Sequence, residues 1–204
     1  EMTGACTLPL ALFVVGGNLP VIKHHFRAPI VGVLGPGVRE AVYATQNRRI
    51  GVIGTKGTIA SRSYEKEIIA LDPQIRVTAV ACPLFVPFVE EGCVSGEVVM
   101  TVARQYLAPL KKAKVDTVIL GCTHYPLLKT VIRQVLGKQV RLIDSAKQVA
   151  IEVKDILTTE HLLNNVRRKG RRIFYVSDNP EWFRSLGRRF LDEEITDVRK
   201  TTTL

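Results

Sequence analysis

The sequence predicts an α/β fold built on parallel strands, and three observations support this prediction. Short aliphatic runs recur along the chain, and each is followed by a segment with helical periodicity. Several of these runs are apolar throughout, as expected for strands that are covered on both faces. The composition, 46% hydrophobic and 24% charged over 204 residues, is that of a globular protein with one large domain or two small ones.

Six strands and six helices are predicted in alternation. The strands are residues 29–34, 49–54, 76–81, 116–121, 140–144 and 173–177. The helices are residues 37–44, 58–71, 96–112, 126–136, 145–157 and 180–191, with Ser145 as an expected cap. Alternation of this kind indicates right-handed crossovers between parallel strands. Ligands of such sheets bind where strands end and helices begin, so the turns after the strands are the places to examine.

The net charge of +10 allows for a nucleic acid or an anionic surface as a partner. The densest basic clusters are residues 23–27 and 167–172, and the second reads as an exposed loop. Solvated surface charge is the simpler interpretation, and an accessory anion or nucleic-acid site is the alternative.

The cysteines, Cys6, Cys82, Cys93 and Cys122, form no CxxC pair, so no metal site is predicted. We expect reduced thiols in a cytoplasmic protein, with Cys82 and Cys93 structural. The apolar residues 8–15 are too few to span a bilayer, and no membrane partner is predicted.

The segment GCTHYP at residues 121–126 is the most informative turn. Cys122 follows a strand and precedes a helix, where backbone N–H groups would stabilise a thiolate. His124 can exchange a proton with that thiol, and Thr123 can donate to a carboxylate ligand. From the residues alone, Cys122 can be interpreted as an activated thiol or as a buried, inert cysteine, and both interpretations stay open.

The segment GTKGT at residues 54–58 is a second turn of this kind. Thr55 and Thr58 could hold a carboxylate or a phosphate at the start of a helix. The spacing is not that of a Walker loop. A helix cap at Thr58 is the alternative.

Four segments together resemble glutamate racemase signatures in their usual order, within a similarity that covers residues 28 to 198. They are IGVIGTKGT at 50–58, ACPLFVPFVEEG at 81–92, LGCTHYPLL at 120–128 and IDSA at 143–146. The resemblance implies two parallel-sheet α/β domains that face each other across a cleft, the first of them incomplete. Residues 1–33 and 145–204 would be the remnant of the first domain, and residues 34–144 would be the second.

The resemblance also implies a reaction and the residues that perform it. Glutamate racemases interconvert L- and D-glutamate for peptidoglycan synthesis with two cysteines and no cofactor. Cys122 matches the second cysteine, His124 the histidine that assists it, and Glu90 the carboxylate that orients the histidine. The residues that match the groups holding the substrate's charged ends are Thr55, Thr58 and Thr123. A homodimer is expected, and an interaction with nucleic acid or DNA gyrase is possible for a member of this family.

The start of the chain departs from the family pattern. The family's first catalytic cysteine lies in an Ala-Cys-Asn-Thr turn, and here the turn is Ala5-Cys6-Thr7-Leu8. Cys6 and Thr7 are therefore weak candidates for the second base and a substrate contact, in a truncated or diverged first domain. We expect the Cys6 and Cys122 sulfurs more than about 10 Å apart, too far to reach one carbon from about 3–3.5 Å each. Racemase activity is accordingly expected to be weak or absent.

Two other classes of function stay open from the sequence. One is a sister amino-acid racemase or a one-cysteine decarboxylase of the same superfamily. The other is a non-catalytic binding protein that associates with DNA or gyrase, for which the net charge leaves room.

Overall fold

The computed structural model describes residues 11–13, 30–163 and 170–201. Two compact units divide the chain, Glu1–Leu162 and Leu163–Leu204. The predicted α/β fold with parallel strands is confirmed, since every strand pair in the described residues is parallel. The assignment of residues 1–33 and 145–204 to a first domain and of residues 34–144 to a second stays a prediction.

The first unit is organised around a four-stranded parallel sheet. Its order is β4-β3-β5-β6, and a separate two-stranded sheet pairs β1 with β2. The strands are β1 Ala11–Phe13, β2 Ile30–Gly32, β3 Arg49–Gly54, β4 Arg76–Ala81, β5 Thr117–Leu120 and β6 Arg141–Asp144. The central strands β3 and β5 are almost entirely buried, which explains why their sequences are apolar without alternation.

Helices cover both faces of this sheet. They are α1 Leu34–Ala44, α2 Lys56–Ser61, α3 Ser63–Leu71, α4 Phe85–Glu90, α5 Glu97–Lys112, α6 Lys129–Leu136 and α7 Ser145–Thr159. On one face, α1 packs against α3 and α7. On the other face, α5 packs against α6, and its Leu110 lies so close to Gly51 that a side chain there would touch it at 3.0 Å.

A hydrophobic core joins α1 and α3 to the sheet. Its side chains are all aliphatic except one tyrosine, and they alternate along β3 with the residues that face α5. The buried members of this core are Val38, Ala41, Ile50, Val52, Tyr64, Ile68, Ile75, Ile119 and Ile143. Through this packing, one face of the sheet contacts α1 and α3, and the other face contacts α5.

Several predicted boundaries are wrong in detail. The helix predicted at 58–71 is two helices, because Arg62 adopts the left-handed conformation with φ 53° and breaks the chain direction between α2 and α3. The helix predicted at 126–136 begins as a 3-10 turn, Tyr125–Leu128, before α6. Asp144, not Ser145, caps α7 by accepting a hydrogen bond from the Ala146 N–H at 3.1 Å.

The second unit contains a two-stranded parallel sheet and one helix. The strands are β7 Phe174–Val176 and β8 Val198–Lys200, and the helix α8 is Pro180–Leu191. Asn179 caps α8, and Phe174 packs against Phe183 with ring centroids 5.7 Å apart. The basic cluster 23–27 and residues 167–169 of the second cluster lie outside the described residues. Arg171 and Arg172 pair with Asp197 and Glu193.

Candidate active site

The four strands of the main sheet end at one edge. In the register of the sheet, Gly54 of β3 lies beside Ala81 of β4, and Leu120 of β5 lies beside Asp144 of β6. We call this the carboxyl edge. It comprises the strand-to-helix turns at residues 54–58, 81–84, 121–124 and 144–145. Cys122 and Thr55 therefore follow adjacent strands at the same end of the sheet.

The turn that carries Cys122 is held on both sides by hydrogen bonds. The Gly121 N–H donates to the Ile53 carbonyl at 2.8 Å, which joins the turn to β3. A side chain at Gly121 would approach that carbonyl to 2.9 Å and the Tyr64 ring to 3.0 Å, so only glycine fits. After the thiol, the buried Tyr125 hydroxyl donates to the Cys82 carbonyl at 2.9 Å. The position of the thiol is thus fixed by β3 and by the turn after β4.

Cys122, His124 and Glu90 form a linear series of contacts. The Cys122 Sγ lies 3.8 Å from His124 Nδ1, and His124 Nε2 lies 3.3 Å from Glu90 Oε1. The Glu90 and His124 side chains are 30% and 21% exposed, so the pair is only partly screened by water. This arrangement can accept a proton from the thiol at one imidazole nitrogen while the carboxylate stabilises charge at the other.

The backbone N–H groups of this turn favour a Cys122 thiolate as expected, but burial outweighs them and the pKa of the thiol is raised overall. Burial raises the pKa of the Cys122 thiol, the Glu90 carboxylate raises it further, and the backbone N–H groups of His124 and Tyr125 only partly oppose this. The physical reason is that the thiol is partly removed from water and precedes a short 3-10 turn, not a long helix. Burial therefore favours the protonated thiol in the resting protein.

The three threonines lie at the same edge. Thr55 Oγ1 accepts from the Thr58 N–H at 3.2 Å and lies 2.9 Å from Thr58 Oγ1, so Thr55 caps α2 and the alternative of a cap at Thr58 is wrong. Thr123 is exposed, and its hydroxyl lies 3.4 Å from His124 Nδ1. Whether Thr55, Thr58 and Thr123 contact a substrate stays a prediction.

The other cysteines differ from Cys122 in their surroundings. Burial raises the pKa of the Cys82 thiol to about 12, which keeps it protonated. Cys93 is a free, exposed thiol in the turn after α4. Cys6 and Thr7 lie outside the described residues, as does the predicted separation of the Cys6 and Cys122 sulfurs. Within the described residues, no three His, Cys, Asp or Glu side chains are grouped as metal ligands would be.

Sequence reasoning missed two residues that support this turn. Tyr125 is fully buried and packs edge-on against Phe85, with ring centroids 5.3 Å apart. Tyr64 is buried against Gly121 on the opposite side. The only signal in the sequence was the position of Tyr125 inside the GCTHYP segment, since Tyr64 is far from Gly121 along the chain.

The sequence and the fold match proteins of a known family. A family model described as Asp/Glu/Hydantoin racemase matches residues 18–152. The chain belongs to this racemase family. Racemases are isomerases, so the predicted enzyme class is confirmed. The predicted resemblance to glutamate racemases is confirmed as well, because the relatives that match with high identity carry that description.

Two curated relatives illustrate the similarity. The glutamate racemase of Geobacter metallireducens is 46% identical over 180 residues, which are 88% of this racemase chain and 67% of that protein. The glutamate racemase of Corynebacterium kroppenstedtii is 42% identical, over 95% of this chain and 72% of that protein. The chain thus spans about two thirds of the length of these relatives.

Solved structures agree with the sequence comparison. A glutamate racemase isoform from Bacillus anthracis superposes with a TM-score of 0.83 at 37% identity, over 90% of this chain and 68% of that one. The glutamate racemase from Francisella tularensis, solved in complex with D-glutamate, gives a TM-score of 0.82 at 35% identity, over 90% of this chain and 67% of that one. No helix in the described part of this racemase is long and apolar enough to cross a membrane.

Proposed function

We propose that the chain catalyses the interconversion of L- and D-glutamate, with Cys122 as the acid or base on one face of the substrate. The observation that carries this proposal is the series from Cys122 Sγ through the His124 ring to the Glu90 carboxylate. An α-proton is weakly acidic, so a base must be placed against it and the developing charge must be stabilised by hydrogen bonds.

The geometry supports a definite order of proton transfers. The thiol of Cys122 passes its proton to His124 Nδ1, and the imidazolium that forms is stabilised by Glu90 at Nε2. The thiolate then removes the α-proton of glutamate and becomes a thiol again. In the reverse direction the thiol donates its proton to the planar carbanion. The raised pKa of the Cys122 thiol favours the protonated form that this donation needs.

The substrate's charged ends are proposed to meet the three threonines of the carboxyl edge. Thr55 and Thr58 present hydroxyls from the turn after β3, and Thr123 presents one from the turn after β5. Cys6 is the sequence candidate for the base on the other face, with Thr7 beside it. A cytoplasmic location, a homodimer and an association with nucleic acid or gyrase stay predictions.

Exchange of the α-proton in deuterated buffer tests this proposal, because it reports each face separately. Each glutamate enantiomer is incubated with the chain, and loss of the α-proton signal and change of optical rotation are followed together. We expect exchange from at least one enantiomer that depends on Cys122. Absence of exchange from both enantiomers, by a chain shown to be folded, would contradict the proposal. Exchange without inversion would identify a site with one working base and would contradict the proposed interconversion.

A further inference from the structure

The main sheet has a second edge, at the amino ends of its strands. Four helix-to-strand connections meet there, and we call them the amino edge. They are residues 45–49, 72–76, 111–116 and 137–141, counted with the last two residues of α5 and the first residue of β3, β4 and β6. They contain eight Lys and Arg residues against two Asp residues, a net charge of +6 out of +10 for the chain. The four turns of the carboxyl edge contain one Lys and one Asp and are neutral overall.

Helix dipoles do not account for this charge. Four helices, α1, α3, α5 and α6, end at the amino edge, and cations there offset the partial negative charge of each helix end. At about half an elementary charge per helix, the four ends together amount to about −2. The turns carry +6. Most of the positive charge is therefore available to an external partner.

Carboxylates among the described residues do not neutralise this positive charge either. Asp72 pairs with Arg48 at 3.6 Å, and Glu40 pairs with Arg141 at 2.8 Å. The Asp116 carboxylate accepts hydrogen bonds from the Thr45 hydroxyl and from the backbone N–H groups of Gln46 and Asn47. The exposed cations of this edge that form no ion pair with any described residue are Arg76, Lys111, Lys112, Lys114 and Lys138.

Large apolar side chains stand exposed beside these cations. Tyr43 near the end of α1 is 85% exposed, and Ile69 and Leu71 at the end of α3 are 41% and 54% exposed. A nucleic acid offers phosphates to the cations, but it gives an aliphatic side chain apolar contacts only where that side chain enters a groove and reaches the bases. The interface of an anionic bilayer accommodates both, since Lys and Arg meet the headgroups while Leu, Ile and Tyr enter the boundary below.

We propose that the amino edge binds the surface of an anionic lipid bilayer. This is association with a surface, and it departs from the sequence-based expectation of no membrane partner, which rested on the lack of a spanning segment. The strands place the two edges roughly 20 Å apart, at about 3.3 Å per residue over the six residues of β3. A bilayer held at the amino edge would therefore leave the carboxyl edge open to water and to glutamate.

Vesicle co-sedimentation tests the proposal with a matched pair of variants. The edge variant carries Lys111→Gln, Lys112→Gln and Lys138→Gln. The control variant removes the same charge from other exposed positions, through Lys66→Gln, Lys147→Gln and Lys154→Gln. Binding is measured to vesicles of phosphatidylcholine alone and of phosphatidylcholine with phosphatidylglycerol, at low and at high salt, and thermal unfolding confirms that both variants fold.

We expect the parent chain to bind only the vesicles that contain phosphatidylglycerol, and to bind them less at high salt. Each cation near such a surface strengthens binding by about fivefold, so the edge variant should bind roughly 100-fold more weakly than the parent and much more weakly than the control variant. Equal binding by the two variants, or no binding by the parent chain, would overturn the proposal.

A further substitution separates a bilayer from a nucleic acid. Leu71→Ser removes an exposed apolar side chain without changing the charge. If a bilayer is the partner, this variant should bind phosphatidylglycerol vesicles several-fold more weakly than the parent. Stronger binding of the parent chain to a fluorescent DNA duplex than to the vesicles, with no effect of Leu71→Ser, would replace the lipid surface by a nucleic acid and overturn the proposal. Glutamate exchange is not needed for any of these measurements, so they stand apart from the proposed activity.

Discussion

The two edges of one sheet have opposite characters. The carboxyl edge is neutral and presents a thiol, an imidazole and hydroxyls on tightly bonded turns. The amino edge carries a net charge of +6, and its Asp116 serves as a hydrogen-bond acceptor within the fold. Parallel strands all end at one edge of the sheet, so the reactive groups collect at the carboxyl edge. The surface charge lies at the opposite edge and on different residues. Substitutions at the two edges should therefore change different measurements.

The largest effect is expected from Cys122→Ser at the carboxyl edge. The hydroxyl keeps the shape of the turn but cannot act as a base at neutral pH, so α-proton exchange should fall by about 10²–10⁴-fold. The measurement is deuterium incorporation from each glutamate enantiomer, with thermal unfolding as the check on the fold. If this variant exchanged the α-proton as fast as the parent chain, the assignment of the reaction to the carboxyl edge would be wrong.

The second effect is the pH dependence of the Cys122 thiol. Because burial raises its pKa above the usual value of 9.0, the thiolate fraction should grow about tenfold per pH unit through neutrality and continue to grow beyond pH 9. The rate of alkylation of the peptide that contains Cys122, followed by mass spectrometry, measures this. The same peptide in the urea-unfolded chain is the control and should level off at lower pH. A plateau near neutrality in the folded chain would show that the thiol is ionised at rest.

Glu90→Gln should have a smaller effect at the same edge. The amide keeps a polar contact with His124 but no longer stabilises the imidazolium, so exchange should fall by about 10–100-fold. Stability should change little, since the Glu90 side chain is 30% exposed. Exchange rates of both enantiomers and thermal unfolding are compared with those of the parent. If stability fell while exchange did not, Glu90 would serve the fold and not the reaction.

At the amino edge, Asp116→Asn should reduce stability and leave exchange per folded molecule unchanged. Burial opposes ionisation of Asp116, but hydrogen bonds from Thr45, Asn47 and Gln46 outweigh it and hold the pKa of the carboxyl below its usual value of 3.8. The loss of charged acceptors should cost about 2 kcal/mol of unfolding free energy, measured with urea.

The pH dependence of this stabilisation has a defined sign. A carboxyl whose pKa is lowered on folding stabilises the protein above the pKa of the unfolded chain, and the stabilisation is lost as pH falls through the folded-state pKa. The difference in stability between the parent and Asp116→Asn should therefore shrink below about pH 4. A difference that stayed constant through that range would show that shape, not charge, accounts for the effect.

A structural feature of this protein can be predicted from the sequence when it depends on residues that are close along the chain. It cannot be predicted when it depends on residues that only the fold brings together. The strands β3 and β4 are predicted to the residue, because continuous apolar runs bounded by Arg and Gly or Pro are local patterns. The break at Arg62 was missed, because neither Gly nor Pro stands beside it, so the local sequence carries no signal for its left-handed conformation. The capping threonine was misplaced by three residues for the same reason, since either hydroxyl satisfies the pattern.

The sequence by itself determined the alternation of β2 to β7 with their helices, though not β1, α4 or β8, together with the turns after the strands and the presence of Cys122, His124 and Glu90 as chemically suitable groups. Only the tertiary structure decided that Glu90 reaches His124, that Tyr125 holds the turn from Cys82, and that burial raises the pKa of the Cys122 thiol. It also brought six of the net positive charges together at one edge. The physical reason is that the sheet order β4-β3-β5-β6 differs from the chain order, so neighbours in space are set by which strands pair and not by spacing along the chain.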